Sequence, residues 1–439
     1  MEWSLSDAGC DGSDGAVAST SAVIGAMSSG HPPRKWGLPV GGQHSTRVLL
    51  LRPFNLSHVA WLYTYSTHPD SFIWERPDGA WIGSVPEASQ IPALLDEHGI
   101  EFVPMVSGRA FQPISGPTDP RGICWLTTSS STRVSCSVAQ IADTLSSLRN
   151  RLSTPVRFLM GQNEPWFTTS HNAMAAGEAA EIWRLYLQPA ARLANLSLVS
   201  PNVQMYSIGW MRDFLRACYD RRDDAQAPCD VESVAAIAVH EYNCNEWFWR
   251  SNYGSNGGFR SGLASALGGH GGYDWSAYVA ARPFWVTETN CNWEGSGFPG
   301  AVETCLRASG RQPSTHGRGS IATMNELDEI STYSWWTLSG SYPAGSRRHN
   351  VQIADADGCL LAPGQALVAA NGGDPSLGCS TSCRPPPPPP PFQCPDVASL
   401  PTGCELNASQ STSACACEYV WNDSCAAPTS VRLVCEDDG

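Results

Sequence analysis

The chain has 439 residues, enough for one large core plus a small accessory module. Its 27 basic residues against 41 acidic ones leave a net charge of -14, which argues against nucleic acid and anionic membrane as partners, since both call for clustered Lys and Arg. A neutral polymer fits that balance, and no apolar run reaches the roughly 18 residues that a membrane span needs.

In chain order, residues 1–33 are rich in Ser, Gly, Ala and Asp without a sustained period and read as a disordered leader with no evident signal peptide. From there to residue 383, apolar runs of strand length alternate with helical patterns. The expected strands are 36–40, 59–65, 101–106, 157–163, 197–202, 235–242, 284–289 and 329–336. The first repeat is irregular, because Val48 to Leu51 is itself strand-like and no clear helix separates it from Trp61. Gly99 stands where a left-handed helix C-cap is needed. Ser137 and Gln140 form a capping box ahead of an apolar face made by Val138, Ile141, Leu145, Leu148 and Leu152. A second helical stripe is Ile208, Met211, Leu215 and Cys218. Eight strand-helix units predict an α/β fold, a (β/α)8 TIM barrel over 34–383.

The prolines Pro385 to Pro391 predict an extended linker over 384–391, about 20 Å long at roughly 3.1 Å per residue. Beyond it, 392–439 carries Cys394, Cys404, Cys415, Cys417, Cys425 and Cys435 and is too short to fold on an apolar core alone, so a small disulfide-rich C-terminal module is expected there. With Tyr419 and Trp421 it could bind carbohydrate; a protein-binding or stabilising role is the alternative.

Seventeen cysteines, spread along the chain instead of in repeated C-x-x-C pairs, point to an oxidising compartment and thus a secreted protein. The count is odd, and Cys10 is the expected unpaired one. Glycosylation triplets at Asn55, Asn195, Asn407 and Asn422 agree with secretion.

Two glutamates end short apolar runs: Glu164 in Gly161-Gln162-Asn163-Glu164-Pro165 and Glu288 in Trp285-Val286-Thr287-Glu288-Thr289. Paired carboxylates at strand ends on one barrel rim suit the cleavage of a glycosidic bond, which needs an acid for the leaving oxygen and a carboxylate facing the anomeric carbon. His240 has no second His or Cys at a ligand spacing, so neither metal nor cofactor is expected; it belongs on the rim against substrate or a catalytic Glu, or in the core. Among 17 tryptophans, Trp247, Trp249 and Trp293 fall in predicted loops, whereas Trp183 and Trp285 read as core. Trp335 and Trp336 must point opposite ways, and Trp336 is the one expected under the cleaved sugar.

Five segments in this order, Phe102-Val103-Pro104-Met105, Asn163-Glu164-Pro165, Ala238 to Tyr242, Trp285 to Glu288 and Tyr333 to Trp336, resemble glycoside hydrolase family GH128 of clan GH-A over residues 34–345. The resemblance implies a TIM barrel that hydrolyses β-1,3-glucan with retention, with Glu164 as acid/base and Glu288 as nucleophile. It makes Asn163, His240, Tyr242, Trp336, Trp61, Tyr63, Tyr65, Trp247 and Trp293 candidates for binding substrate. Tyr242 would donate to Glu288, and Asn163 would face the 2-hydroxyl. The acid should hold its proton near neutral pH, and the nucleophile should stay ionised. A monomer is expected.

The chain departs from the family pattern at Glu241, where an aromatic is usual, at Thr289-Asn290, and in enlarged segments 66–85 and 243–272. Glu241, Glu246 and Glu294 read as solvated loop charges. Another β-glycanase of the clan, or a glucan-binding protein without turnover, are the competing readings.

Overall fold

The structure is a computed structural model. It describes residues 35–50, 56–69, 72–76, 79–83, 86–106, 137–167, 173–243, 246–290, 319–338, 351–355, 358–374, 416–420 and 430–434. The leader, the proline run, Cys244, Trp293 and Glu294 lie outside these residues.

The strands are β1 (Trp36–Pro39), β2 (Trp61–Tyr63), β3 (Phe72–Arg76), β4 (Gly79–Gly83), β5 (Glu101–Phe102), β6 (Phe158–Met160), β7 (Ser197–Val199), β8 (Val203–Gln204), β9 (Val234–His240), β10 (Phe284–Thr289) and β11 (Ile330–Trp335). Eight of them pair in the order β5-β2-β1-β11-β10-β9-β7-β6, all parallel, with β8 continuing β7 along β9. A parallel bridge between Met105 and Met160 links the two ends of that order. The fold is thus α/β, a curled sheet of parallel strands consistent with a (β/α)8 barrel. Strands β3 and β4 form an antiparallel hairpin within the enlarged segment after β2.

Two apolar layers follow from the strand period of two. Side chains facing into the curl are Trp61, Tyr63, Val103, Met105, Met160, Val199, Ala236, Ala238 and Trp285, where small alanines on β9 leave room for the indoles. Their chain neighbours, such as Leu62, Leu159, Leu198, Ile237, Val239 and Val286, join the larger cluster that also holds helix residues such as Leu95, Leu145 and Phe214. The strands therefore read as near-continuous apolar runs because both faces are covered.

The local signals form as expected. Gly99 caps the helix Ile91–His98 at φ 62° and ψ 35°, a left-handed conformation that costs glycine nothing. Gln140 N–H donates to Ser137 Oγ at 3.2 Å and Ser137 N–H to Gln140 Oε1 at 2.9 Å, opening the helix Val138–Arg151. That helix buries Ile141, Leu145 and Leu148, and the helix Ile208–Tyr219 buries Met211, Leu215 and Cys218. The first repeat differs from its sequence reading. Val48 to Leu50 close a helix, Gly42–Leu50, because the segment after β1 must cross over the parallel sheet, and Val48 and Leu49 are the face it buries.

Cys218 and Cys229 are joined by a disulfide, and Cys359 is also disulfide-bonded. Residues 379–439 form a separate compact unit whose described part is an antiparallel hairpin, Ala416–Val420 with Ser430–Val434.

Candidate active site

Parallel strands bring their C-terminal ends to one rim, and the register sets Glu288 at the end of β10 beside His240 at the end of β9. Glu164 follows β6 after Gly161, whose position suits only glycine: a Cβ there would stand 2.8 Å from the backbone nitrogen of Pro201. That close approach lets Asn202 reach across. Its Oδ1 accepts the Glu164 N–H at 2.7 Å, and its Nδ2 donates to Asn163 Oδ1 at 3.1 Å. Glu164 itself has φ 43°, a left-handed backbone uncommon outside glycine, of the kind that surrounding structure holds in place at functional sites.

The two carboxylates face each other with His240 beside them. One oxygen of each and a His240 ring nitrogen all lie within 4.8 Å of one another. His240 Nδ1 is 2.9 Å from Glu164 Oε1 and 3.6 Å from Glu288 Oε2. Glu288 is only 5% exposed, and two phenols grip it: Tyr65 donates to Oε1 at 2.7 Å and Tyr242 to Oε2 at 2.5 Å.

Electrostatics divide the acids differently from the sequence expectation. Burial pushes the Glu288 carboxyl up, and the nearby Glu164 charge adds to this, against the opposing pull of His240 and of the Tyr242 and Tyr65 hydroxyls. For Glu164, burial also raises the value, but the hydrogen bond and charge of His240 outweigh it, so the carboxyl sits below its ordinary range. His240 loses by burial and gains more from Glu288 and Glu164, ending above the ordinary imidazole value. In the free site the proton is therefore held by His240 more than by Glu164. The reason is geometric: Nδ1 touches Glu164, whereas Glu288 is the deeper carboxylate.

The structure places the remaining candidates at different depths. Trp61 is 4% exposed, stacked on Tyr63 at 5.4 Å, and its Nε1 donates to Lys35 O just before β1, so it packs at the strand-start end, far from the rim. Tyr63 is fully buried and donates to Thr287 O at 2.7 Å, lying beneath Tyr65 instead of offering a face to sugar. Tyr65 binds the Glu288 carboxylate through its hydroxyl. Trp336 is half-buried, with its ring edge-on to Tyr242 at 6.5 Å, while Trp335 is in the core. Trp247 is 73% exposed in the first turn of the helix Glu246–Tyr253 after β9. Glu241 is no solvated loop charge: it is 7% exposed. Asn202 was missed by the sequence reading, although Ser200-Pro201-Asn202 directly follows an apolar strand and marks a rim position.

The catalytic-core model of the glycosyl hydrolases matches residues 134–366, which include both glutamates. The chain belongs to the glycosyl hydrolase catalytic core family. That agrees with the resemblance to family GH128 carried by the five motifs. Solved glycosyl hydrolases similar to this one include a GH128 subgroup II endo-β-1,3-glucanase from Sorangium cellulosum, at 20% identity and TM-score 0.43, covering 76% of this chain and 98% of that one. A GH128 subgroup I endo-β-1,3-glucanase variant from Amycolatopsis mediterranei, in complex with laminarihexaose, has 17% identity and TM-score 0.41, covering 76% and 98%. A GH128 subgroup VII oligosaccharide-binding protein from Trichoderma gamsii has 15% identity and TM-score 0.39, covering 77% and 95%. Comparison with curated proteins found no match.

Proposed function

We propose that this glycosyl hydrolase is a secreted, monomeric, retaining endo-β-1,3-glucanase. The observation that carries the mechanism is the spacing of Glu164 and Glu288, with oxygens within 4.8 Å. Double displacement needs carboxyl groups about 5 to 5.5 Å apart, whereas inversion needs about 6.5 to 9.5 Å to admit a water. Glu288 then attacks the anomeric carbon, as Glu164 protonates the leaving oxygen. The resulting glycosyl ester on Glu288 is cleaved by a water that gives its proton to Glu164.

The charge pattern of the free site fits this cycle once sugar is bound. A glycan over Glu164 removes the water that reaches its partly exposed carboxyl, and such desolvation favours the protonated acid. The proton on His240 Nδ1, 2.9 Å away, is then the nearest supply. Tyr65 and Tyr242 supply Glu288 with charge-stabilising donors that do not depend on substrate. Asn163, held by Asn202, is the group for the 2-hydroxyl, and Trp336 and Trp247 are the aromatic faces for neighbouring sugars. The choice of β-1,3-glucan comes from the five-motif resemblance to GH128.

Reducing-end release from linear β-1,3-glucan, with xylan and mannan in parallel, tests the substrate. Turnover of xylan or mannan alone would overturn it. Early products of mixed length identify endo action, and the anomer first released, read by NMR, reports retention.

A further inference from the structure

Glu241 is a buried acid with no part in the reaction above. It lies between His240, the last residue of β9, and Tyr242 just beyond it, the two side chains that touch the catalytic carboxylates. Its own N–H donates to Glu288 O at 2.9 Å, so its backbone clamps β9 to the nucleophile's strand. Its carboxylate meets donors from three places: Tyr253 OH at 3.3 Å from the helix Glu246–Tyr253, the backbone of Met205 on the short helix after β8, and the backbone of Tyr242. An ionised carboxylate only accepts hydrogen bonds, and its two oxygens can serve three donors. A protonated carboxyl or an amide brings donor hydrogens of its own into that cradle.

We propose that Glu241 is a positioning residue whose ionised carboxylate ties the helices on either side of β9 to the strand end, and so holds His240 and Tyr242 against Glu164 and Glu288. The tied elements also carry Tyr206 and Trp247, two exposed aromatics on the same rim, at 83% and 73% exposure. Burial raises the Glu241 carboxyl to about 7, against the hydrogen bonds of Tyr253, Tyr242 and Met205. Its charge therefore changes near neutral pH. The titratable groups around it are Tyr253 and Tyr206, its chain neighbours His240 and Tyr242, and Glu288 on β10.

This inference rests on the hydrolase reading for its kinetic arm, and a substrate-free arm separates the two. In the kinetic arm, Glu241→Gln lowers kcat about tenfold with KM within about twofold, and the rise in kcat through about pH 7 disappears. Tyr253→Phe, which removes one donor to the carboxylate, moves that rise to higher pH. A role in packing alone would lower stability and leave the pH profile in place. In the substrate-free arm, fluorotyrosine is incorporated, and the resonance of residue 242 is assigned by its loss in Tyr242→Phe. That resonance shifts with a midpoint near pH 7 in the wild type and not in Glu241→Gln. An unchanged midpoint in both variants, or a residue 242 signal indifferent to Glu241→Gln, overturns the proposal whatever glycan the enzyme cleaves.

Discussion

Glu241→Gln removes a carboxyl that is 7% exposed and that burial raises from 4.5 to about 7. An acid with a raised folded-state value stabilises the fold while protonated. That contribution is complete below 4.5 and is lost as pH rises through about 7. Carried through linkage, keeping Glu241 in the fold costs on the order of 1 kcal/mol at about pH 5 and about 3 kcal/mol at about pH 8. Glutamine has no charge at either pH, so the stability of the variant relative to wild type should rise by about 2 kcal/mol between them. The amide's poorer fit to three donors adds a pH-independent penalty, which cancels in this difference. Urea unfolding of both proteins followed by tryptophan fluorescence at both pH values measures it. A difference between the proteins that stays within about 0.5 kcal/mol across that range would refute the reasoning. If it holds, the charge that supports turnover is also one that costs stability, a trade-off characteristic of strained functional sites.

Glu288→Gln should abolish nearly all turnover of β-1,3-glucan while calorimetry still detects oligosaccharide binding; wild-type rates would remove the nucleophile assignment. Tyr242→Phe or Tyr65→Phe takes away a donor to the Glu288 carboxylate, so the acid limb of the activity profile should move to higher pH and kcat/KM should fall on the order of tenfold. Asn202→Ala frees both the Glu164 N–H and the Asn163 amide, and a tenfold or larger loss of kcat with an unchanged unfolding midpoint is expected. Replacing Cys218 and Cys229 by Ala reopens a loop closed over a separation of 11 residues and should cost about 2.8 kcal/mol, measured as a lower denaturant midpoint against the oxidised protein.

Much of the fold was legible because its signals are local. The capping box at Ser137, the glycine cap at Gly99 and the apolar stripe through Met211 and Leu215 each depend on residues within a few positions of one another. The segment Val48 to Leu50 escaped because a short apolar run carries no period by itself; only the need to cross over a parallel sheet makes it helical. Trp61 and Tyr63 escaped for a related reason. An aromatic on a barrel strand faces inward whether it ends in the packed layer or at the mouth, and which applies depends on its height along the strand.

The sequence by itself determined which residues can do chemistry: two strand-ending glutamates, the His240 to Tyr242 segment and Asn163, in an order that fits strands returning to one rim. Only the tertiary structure decided who touches whom. Residues 76 positions apart, His240 and Glu164, and 223 apart, Tyr65 and Glu288, meet through side-chain atoms. Contacts of that range, unlike caps and stripes, leave no pattern in the intervening chain. Burial depth, which pushes Glu288 and Glu241 up while His240 holds Glu164 down, belongs to the same class. It is a property of everything packed around a group, and no neighbour in sequence records it.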